Sequence, residues 1–264
     1  MVAARARICA MSFVPSEAGS NLARIREGIE RAASRAGRRG EEITLVAVSK
    51  LHPAAQIRKL YEAGVRHFGE NRVQEWESKH ASLADLDATW HMIGHLQSNK
   101  AARAVRMFHT IDSVDSIALA ERLDRAKKEF NTADTEGTEK REDARGVGRE
   151  GRLRVLIEVK LDPGAAKSGV NSEELPRLAE AVLRMPHLEL RGLLGVPPYF
   201  DDAEKARPYF RRLRELRDAL RTQMGPELLP VLSMGMSHDF EAAIEEGATE
   251  IRIGTALFGE RRKA

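Results

Sequence analysis

Lys50 stands at the end of an almost unbroken apolar run, Ile43 to Ser49, and is followed by Leu51-His52-Pro53. Such a run is expected of a strand covered on both faces, as in a parallel sheet. Side chains alternate along a strand, so Lys50 shares a face with Val46 and Val48. If that face is a barrel interior, the amine is partly desolvated, which lowers its pKa and makes it a nucleophile. Taken alone, the pattern fits a surface lysine ending a strand at least as well.

A second group of candidate residues lies near the end of the chain. Ser233-Met234-Gly235-Met236-Ser237 leads into a helical segment at Asp239, and Arg252-Ile253-Gly254-Thr255 closes a short apolar strand. Glycines let the backbone approach an anion, helix N-termini point N–H groups at it, and hydroxyls add donors. The loops after strands seven and eight form a common phosphate site of α/β barrels. The plainer alternative is that Ser237 caps its helix and the glycines make turns. With a lysine across the barrel and a cation at Arg252, the two loops fit an aldehyde cofactor bearing a phosphate.

These residues need a scaffold, and the chain alternates helix and strand signals from Asn21 onward. Leu22, Ile25, Ile29 and Ala33 fall at helical spacing and predict a first helix that stops near Gly37. Strands are expected at 43–49, 65–68, 89–93, 107–111, 153–159, 188–194, 229–233 and 250–253. Helices are expected from Pro53 to Gly64, around Val73 to His80, and over 116–130, 172–184, 207–222 and 239–246. Asn171 and Glu174 have capping-box spacing. Eight β-α units point to a closed α/β barrel with its site at the C-terminal strand ends. An open doubly wound sheet is the alternative, because periodicity does not reveal closure. The segment 131–152, with Val147 its only large apolar residue, reads as a flexible insertion.

Composition narrows the function classes. The 264 residues suit one α/β barrel, which takes roughly 250. Forty-three basic and 40 acidic residues are interspersed for a net charge of +3, with no focused basic stripe, so nucleic acid is not an expected partner. No apolar stretch has the roughly 20 residues that span a bilayer. One cysteine, Cys9, fits a reducing compartment, and a cytoplasmic location is expected. Residues 1–18 read as a disordered tail, with Met11 a second candidate start; an Arg-bearing transit peptide is the alternative. His91 and His95 have the i,i+4 spacing of a zinc pair but lack the intervening Glu of the zincin motif, so no metal site is expected. Trp76 and Leu83 are expected in the core.

The blocks Ala47-Val48-Ser49-Lys50, Phe68-Gly69-Glu70-Asn71, Trp90 to Lys100, Ser233 to Ser237 and Arg252 to Gly259 closely resemble those of the YggS/PROSC family of pyridoxal 5′-phosphate (PLP) binding, or PLP homeostasis, proteins. The resemblance runs from about Asn21 to Gly259. It implies a single (β/α)8 TIM-type barrel over 19–264, like the N-terminal domain of alanine racemase, with an extra N-terminal helix. It implies PLP as cofactor, held as a Schiff base on Lys50. Ser237, Gly254 and Thr255 would then hold the phosphate, Arg252 would face the pyridine nitrogen, and Asn71 would lie beside the ring. The backbone of Met234 and Gly235 would line the same pocket, and His91 would sit in the barrel interior, with or without touching the cofactor. Gly195-Val196-Pro197-Pro198-Tyr199 departs from the family's small-residue loop and could alter the pocket rim.

Catalysis is a separate matter. PLP supplies carbanion chemistry, and a cation at its ring nitrogen weakens the electron sink. Racemisation needs an acid/base on each face, of which Lys50 could serve one. The related racemases take the other from a C-terminal β-domain of a partner subunit, for which this chain leaves no room. Tyr199, in the loop after strand six, stays open for such a role. The expectation is a monomeric PLP carrier with PLP-dependent apoenzymes as partners, and not an enzyme. A racemase-like PLP enzyme and a phosphate-ligand barrel without PLP are the alternatives.

Overall fold

In the computed structural model, which describes residues 17–133, 151–162 and 168–259, the apolar runs become the strands of one closed sheet. They are β1 (Thr44–Val48), β2 (His67–Glu70), β3 (Thr89–Met92), β4 (Thr110–Val114), β5 (Leu153–Val159), β6 (Leu188–Gly195), β7 (Val231–Ser233) and β8 (Glu250–Ile253). Each pairs in parallel with the next, and β8 returns to β1 with Thr44 opposite Glu250 and Ala47 opposite Ile253. The expected (β/α)8 barrel is what forms, and the open sheet is excluded.

The helices are α1 (Glu17–Arg35), α2 (Ala54–Glu62), α3 (Val73–His80), α4 (Ala101–Met107), α5 (Ile117–Ala133), α6 (Leu175–Leu183), α7 (Arg207–Met224), α8 (Phe240–Glu245) and the short α9 (Thr255–Phe258). The main hydrophobic core lies between sheet and helices, where Ala47, Phe68, Trp90 and Ile111 meet helix residues such as Leu60, Trp76 and Val105. Trp76 stacks on Trp90 with ring centroids 3.8 Å apart, and both Trp76 and Leu83 are buried as expected. The extra helix α1 buries Leu22, Ile25 and Ile29. Arg35 ties it to Glu241 and Glu245 of α8, and Asn21 Nδ2 donates to the Leu257 carbonyl of α9 at 3.1 Å.

Four expectations are corrected. The fourth strand is not 107–111 but Thr110–Val114, because Met107 finishes α4, a helix the periodicity did not announce. The second strand starts at His67, two residues late, because Val65 N–H bonds back to Leu60 after the left-handed Gly64. The seventh starts at Val231, because Leu229 adopts a φ of 56° and Pro230 has no N–H to give a ladder. The capping box at Asn171 and Glu174 does not form. Glu174 is the N-cap of α6 without a side-chain bond, and Pro176 occupies the first turn.

The expected tail at 1–18 lies outside the described residues except for Glu17 and Ala18, which belong to α1. Of the expected insertion, 134–150 lies outside them, while 131–133 complete α5. Among the described residues, no helix is long and apolar enough to cross a membrane.

Candidate functional site

Alternation along β1 decides where Lys50 goes. Ser49 is fully buried and turns outward, its hydroxyl donating to the Glu70 carboxylate at 2.7 Å. Lys50 therefore takes the inward side and, with Val48, lines a cleft at the C-terminal rim of the barrel. The cleft has two lobes that share Val48, Lys50, Met236 and Arg252 as a common wall.

The larger lobe, about 670 Å³, is lined by Asn71, Ile93, Gly94, His95, Glu158, Ser168 and Val196 besides the shared residues. The smaller, about 270 Å³, adds Ser237, Gly254 and Thr255, with His52, Tyr199, Phe200 and His238 at its edge. Two loops converge there because the Ser237 hydroxyl accepts the Ala256 N–H at 3.3 Å, joining the loop after β7 to the first turn of α9. Ser237 thus does not cap α8. The loop before α8 is held by Asp239, whose carboxylate accepts the Met236 N–H at 2.6 Å.

Met234 and Gly235 line neither lobe. Met234 is fully buried in the outer core, and Gly235 passes its carbonyl to the Arg252 N–H at 3.0 Å. A Cβ on Gly235 would stand 2.6 Å from that of Ala243, and its φ is 93°. The next residue, Met236, is the one that reaches the cleft.

Arg252 is buried and its guanidinium is aimed by two fixed acceptors, Ser233 Oγ at 2.7 Å and the Gly195 carbonyl at 3.0 Å. Beneath it lies a polar barrel floor. Ser233 donates to Glu250 at 2.7 Å, and Glu250 lies 3.9 Å from His91 Nδ1. His91 Nδ1 pairs with Asp112 at 2.8 Å, and its Nε2 meets His67 Nδ1 at 3.0 Å. Burial opposes a charge on His91, but the carboxylates of Asp112 and Glu250 prevail and raise its pKa. Burial, with the charge on His91, brings His67 down to about 4. The two shifts agree with one pattern, a charged His91 donating to a neutral His67. Burial pushes the Glu250 carboxyl up and the Arg252 guanidinium down from their ordinary values.

His91, Asp112 and Glu250 bring donor atoms within 4.8 Å of one another. They are already bonded to Thr110, Ser233, His67 and each other beside a guanidinium, which is the pattern of a buried ion-pair network. His91 lines neither lobe. His95 sits apart in the larger lobe, its Nδ1 3.3 Å from Asp115.

Sequence reasoning missed Met236, His95, Ser168 and Glu158. Glu158 carried a readable signal, a carboxylate near the C-terminal end of an otherwise apolar strand. It accepts from Ser168 Oγ at 3.1 Å, its other oxygen has no hydrogen-bond partner among the described residues, and burial raises its pKa.

The family model described as alanine racemase, N-terminal domain, matches residues 20–262. Proteins named pyridoxal phosphate homeostasis protein from Aquifex aeolicus and Pseudomonas aeruginosa are each 43% identical to the chain. The first match covers 91% of this chain and 97% of the relative, the second 93% and 96%. The chain belongs to this family. Its barrel is similar to that of PipY, a Synechococcus elongatus protein whose structure was solved with PLP bound. The TM-score is 0.75 at 40% identity, over 92% of this chain and 100% of PipY. Alanine racemase of Clostridium difficile shares the fold at 15% identity and a TM-score of 0.65, over 57% of that chain.

Proposed function

We propose that the chain binds PLP in this cleft, as a Schiff base on Lys50, and serves PLP homeostasis rather than the turnover of amino acids. The observation that carries the reading is that one cleft is bordered by a lysine amine, a buried guanidinium and a cluster of hydroxyl and backbone donors. That donor set fits the aldehyde, ring nitrogen and phosphate of PLP. The names of the relatives and PLP-bound PipY support it. When bound, PLP supplies an electron sink for carbanion chemistry.

Ser237, Thr255 and the Gly254 backbone hold the phosphate in this reading. Asn71 borders the ring, and Met236 packs between the lobes. Arg252, fixed by Ser233 and the Gly195 carbonyl, keeps a permanent cation at the ring nitrogen and so discourages its protonation. Tyr199 is 75% exposed at the edge of the smaller lobe, a poor position for a second acid/base facing Lys50. Both features favour a carrier over a catalyst. Transfer of PLP to apoenzymes, a monomeric state, a cytoplasmic location and one barrel unit over 19–264 with an insertion at 131–152 belong to the same reading.

The test is visible absorbance of the purified protein titrated with PLP, beside Lys50→Ala. A band that forms in the wild type and not in the variant supports the proposal. Phosphate-dependent binding that survives in Lys50→Ala, with no band in either protein, points instead to a barrel for another phosphate ligand.

A further inference from the structure

The peptide groups on both sides of Lys50 are held by a single helix. The Ser49 carbonyl accepts from Lys79 Nζ at 3.0 Å, and the Leu51 N–H donates to the Glu75 carboxylate. Lys79 is in turn gripped by Glu75 at 2.7 Å and Glu70 at 3.0 Å, and Ser49 Oγ donates to the same Glu70 oxygen. The cluster is largely closed to water, with side-chain exposures of 11% at Lys79, 16% at Glu75 and 0% at Glu70.

Directly after the second clamped peptide group the chain does something unusual. Leu51 has φ 64°, a left-handed conformation that a leucine keeps only where its surroundings impose it. Leu51 is 67% exposed, so its own packing is not what imposes the turn. What does surround it is the pair of bonds from α3, together with the His52 N–H returning to the Ser49 carbonyl at 3.1 Å. Buried ion pairs add little stability over apolar packing of the same volume, but their hydrogen bonds fix direction.

We infer that Lys79, with Glu75 and Glu70, is a positioning clamp that locks the Ser49–Leu51 turn and so holds Lys50 aimed into the cleft. Lys79 itself lines neither lobe and acts through the backbone of Lys50. The part of this that concerns PLP rests on the function proposed above; the clamp on the turn does not.

The experiment compares wild type, Lys79→Met, Glu75→Gln, Leu51→Gly and the Lys79→Met/Leu51→Gly double variant. The readouts are amide exchange at Leu51 without cofactor, the rate of PLP uptake by absorbance, and the thermal midpoint. In Lys79→Met the Leu51 amide should exchange, and PLP uptake should slow, by about tenfold, the scale of one lost hydrogen bond to a charged group. Glycine adopts the left-handed turn without help, so the double variant should regain most of the uptake rate. The inference is overturned if Lys79→Met and Glu75→Gln leave exchange and uptake unchanged. It is also overturned if uptake falls only in step with the thermal midpoint and Leu51→Gly restores nothing. A wild type that takes up no PLP would sink the functional proposal, while amide exchange at Leu51 would still decide the clamp.

Discussion

Glu250 and Arg252, both buried on β8, share one hydroxyl: Ser233 Oγ donates to Glu250 at 2.7 Å and accepts from Arg252 at 2.7 Å. Residues two apart on a strand face the same side, here the barrel interior. The guanidinium that lines the cleft is thus the upper end of a column of alternating charge running through Glu250 and His91 to Asp112. The cation is held in place from below, whatever occupies the cleft.

Removing a member of that column should be costly. Glu250→Ala leaves Arg252 and His91 buried without their shared counter-charge, and is expected to lower stability by about 3–5 kcal/mol. Glu250→Gln can still accept from Ser233 and should cost less. Urea unfolding of the protein without cofactor reads both values. A Glu250→Ala change within about 0.5 kcal/mol would mean that the column carries no weight.

The base of the column should respond to acid. The folded His67 ring sits at about 4, below its ordinary 6.5, so between those values the unfolded chain takes up a proton that the folded one refuses. Stability therefore falls as pH drops from 6.5 to 4, by at most about 3 kcal/mol from this ring, less some screening at its partly exposed edge. In His67→Asn, which can still accept from His91, the same drop in pH should cost less. Parallel stability curves for the two proteins would contradict the assignment.

Asn71 is seated by a neighbour without a side chain. A Cβ on Gly94 would fall 2.4 Å from the Asn71 carbonyl oxygen and 2.8 Å from its Cα. Gly94→Ala should push the Asn71 backbone and weaken PLP affinity about tenfold or more, on the scale of a strained packing change of 1–3 kcal/mol. Fluorescence titration with PLP measures it. Unchanged affinity would show that Asn71 is not needed where the structure has it.

Much of the barrel was legible because both faces of its strands are covered, which leaves apolar stretches such as Leu45–Val48 and Val155–Ile157. The fourth strand was misplaced for the opposite reason. Thr110–Val114 carries Asp112 and Ser113, and hydropathy does not foresee that Asp112 pairs with His91 or that Ser113 donates to the Gly94 carbonyl at 2.7 Å. Within the site, Lys50 and the two Gly/Ser/Thr loops declared themselves by residue type and position. Met236 did not, because choosing between it and Met234 needs the path of the loop, set here by Asp239 bonding the Met236 N–H. The clamp on Lys50 was invisible for a similar reason. Glu75 and Lys79 have the spacing of any surface helix pair, and only the turn of α3 onto β1 brings them to Ser49 and Leu51.

The central claim is that Lys50 is the residue that takes PLP. The most direct measurement is borohydride reduction of the protein loaded with PLP, followed by peptide mass mapping. A pyridoxyl-phosphate adduct confined to Lys50, and absent from Lys50→Ala, is the predicted result. An adduct on another lysine, or none on a protein that still binds PLP, would contradict it.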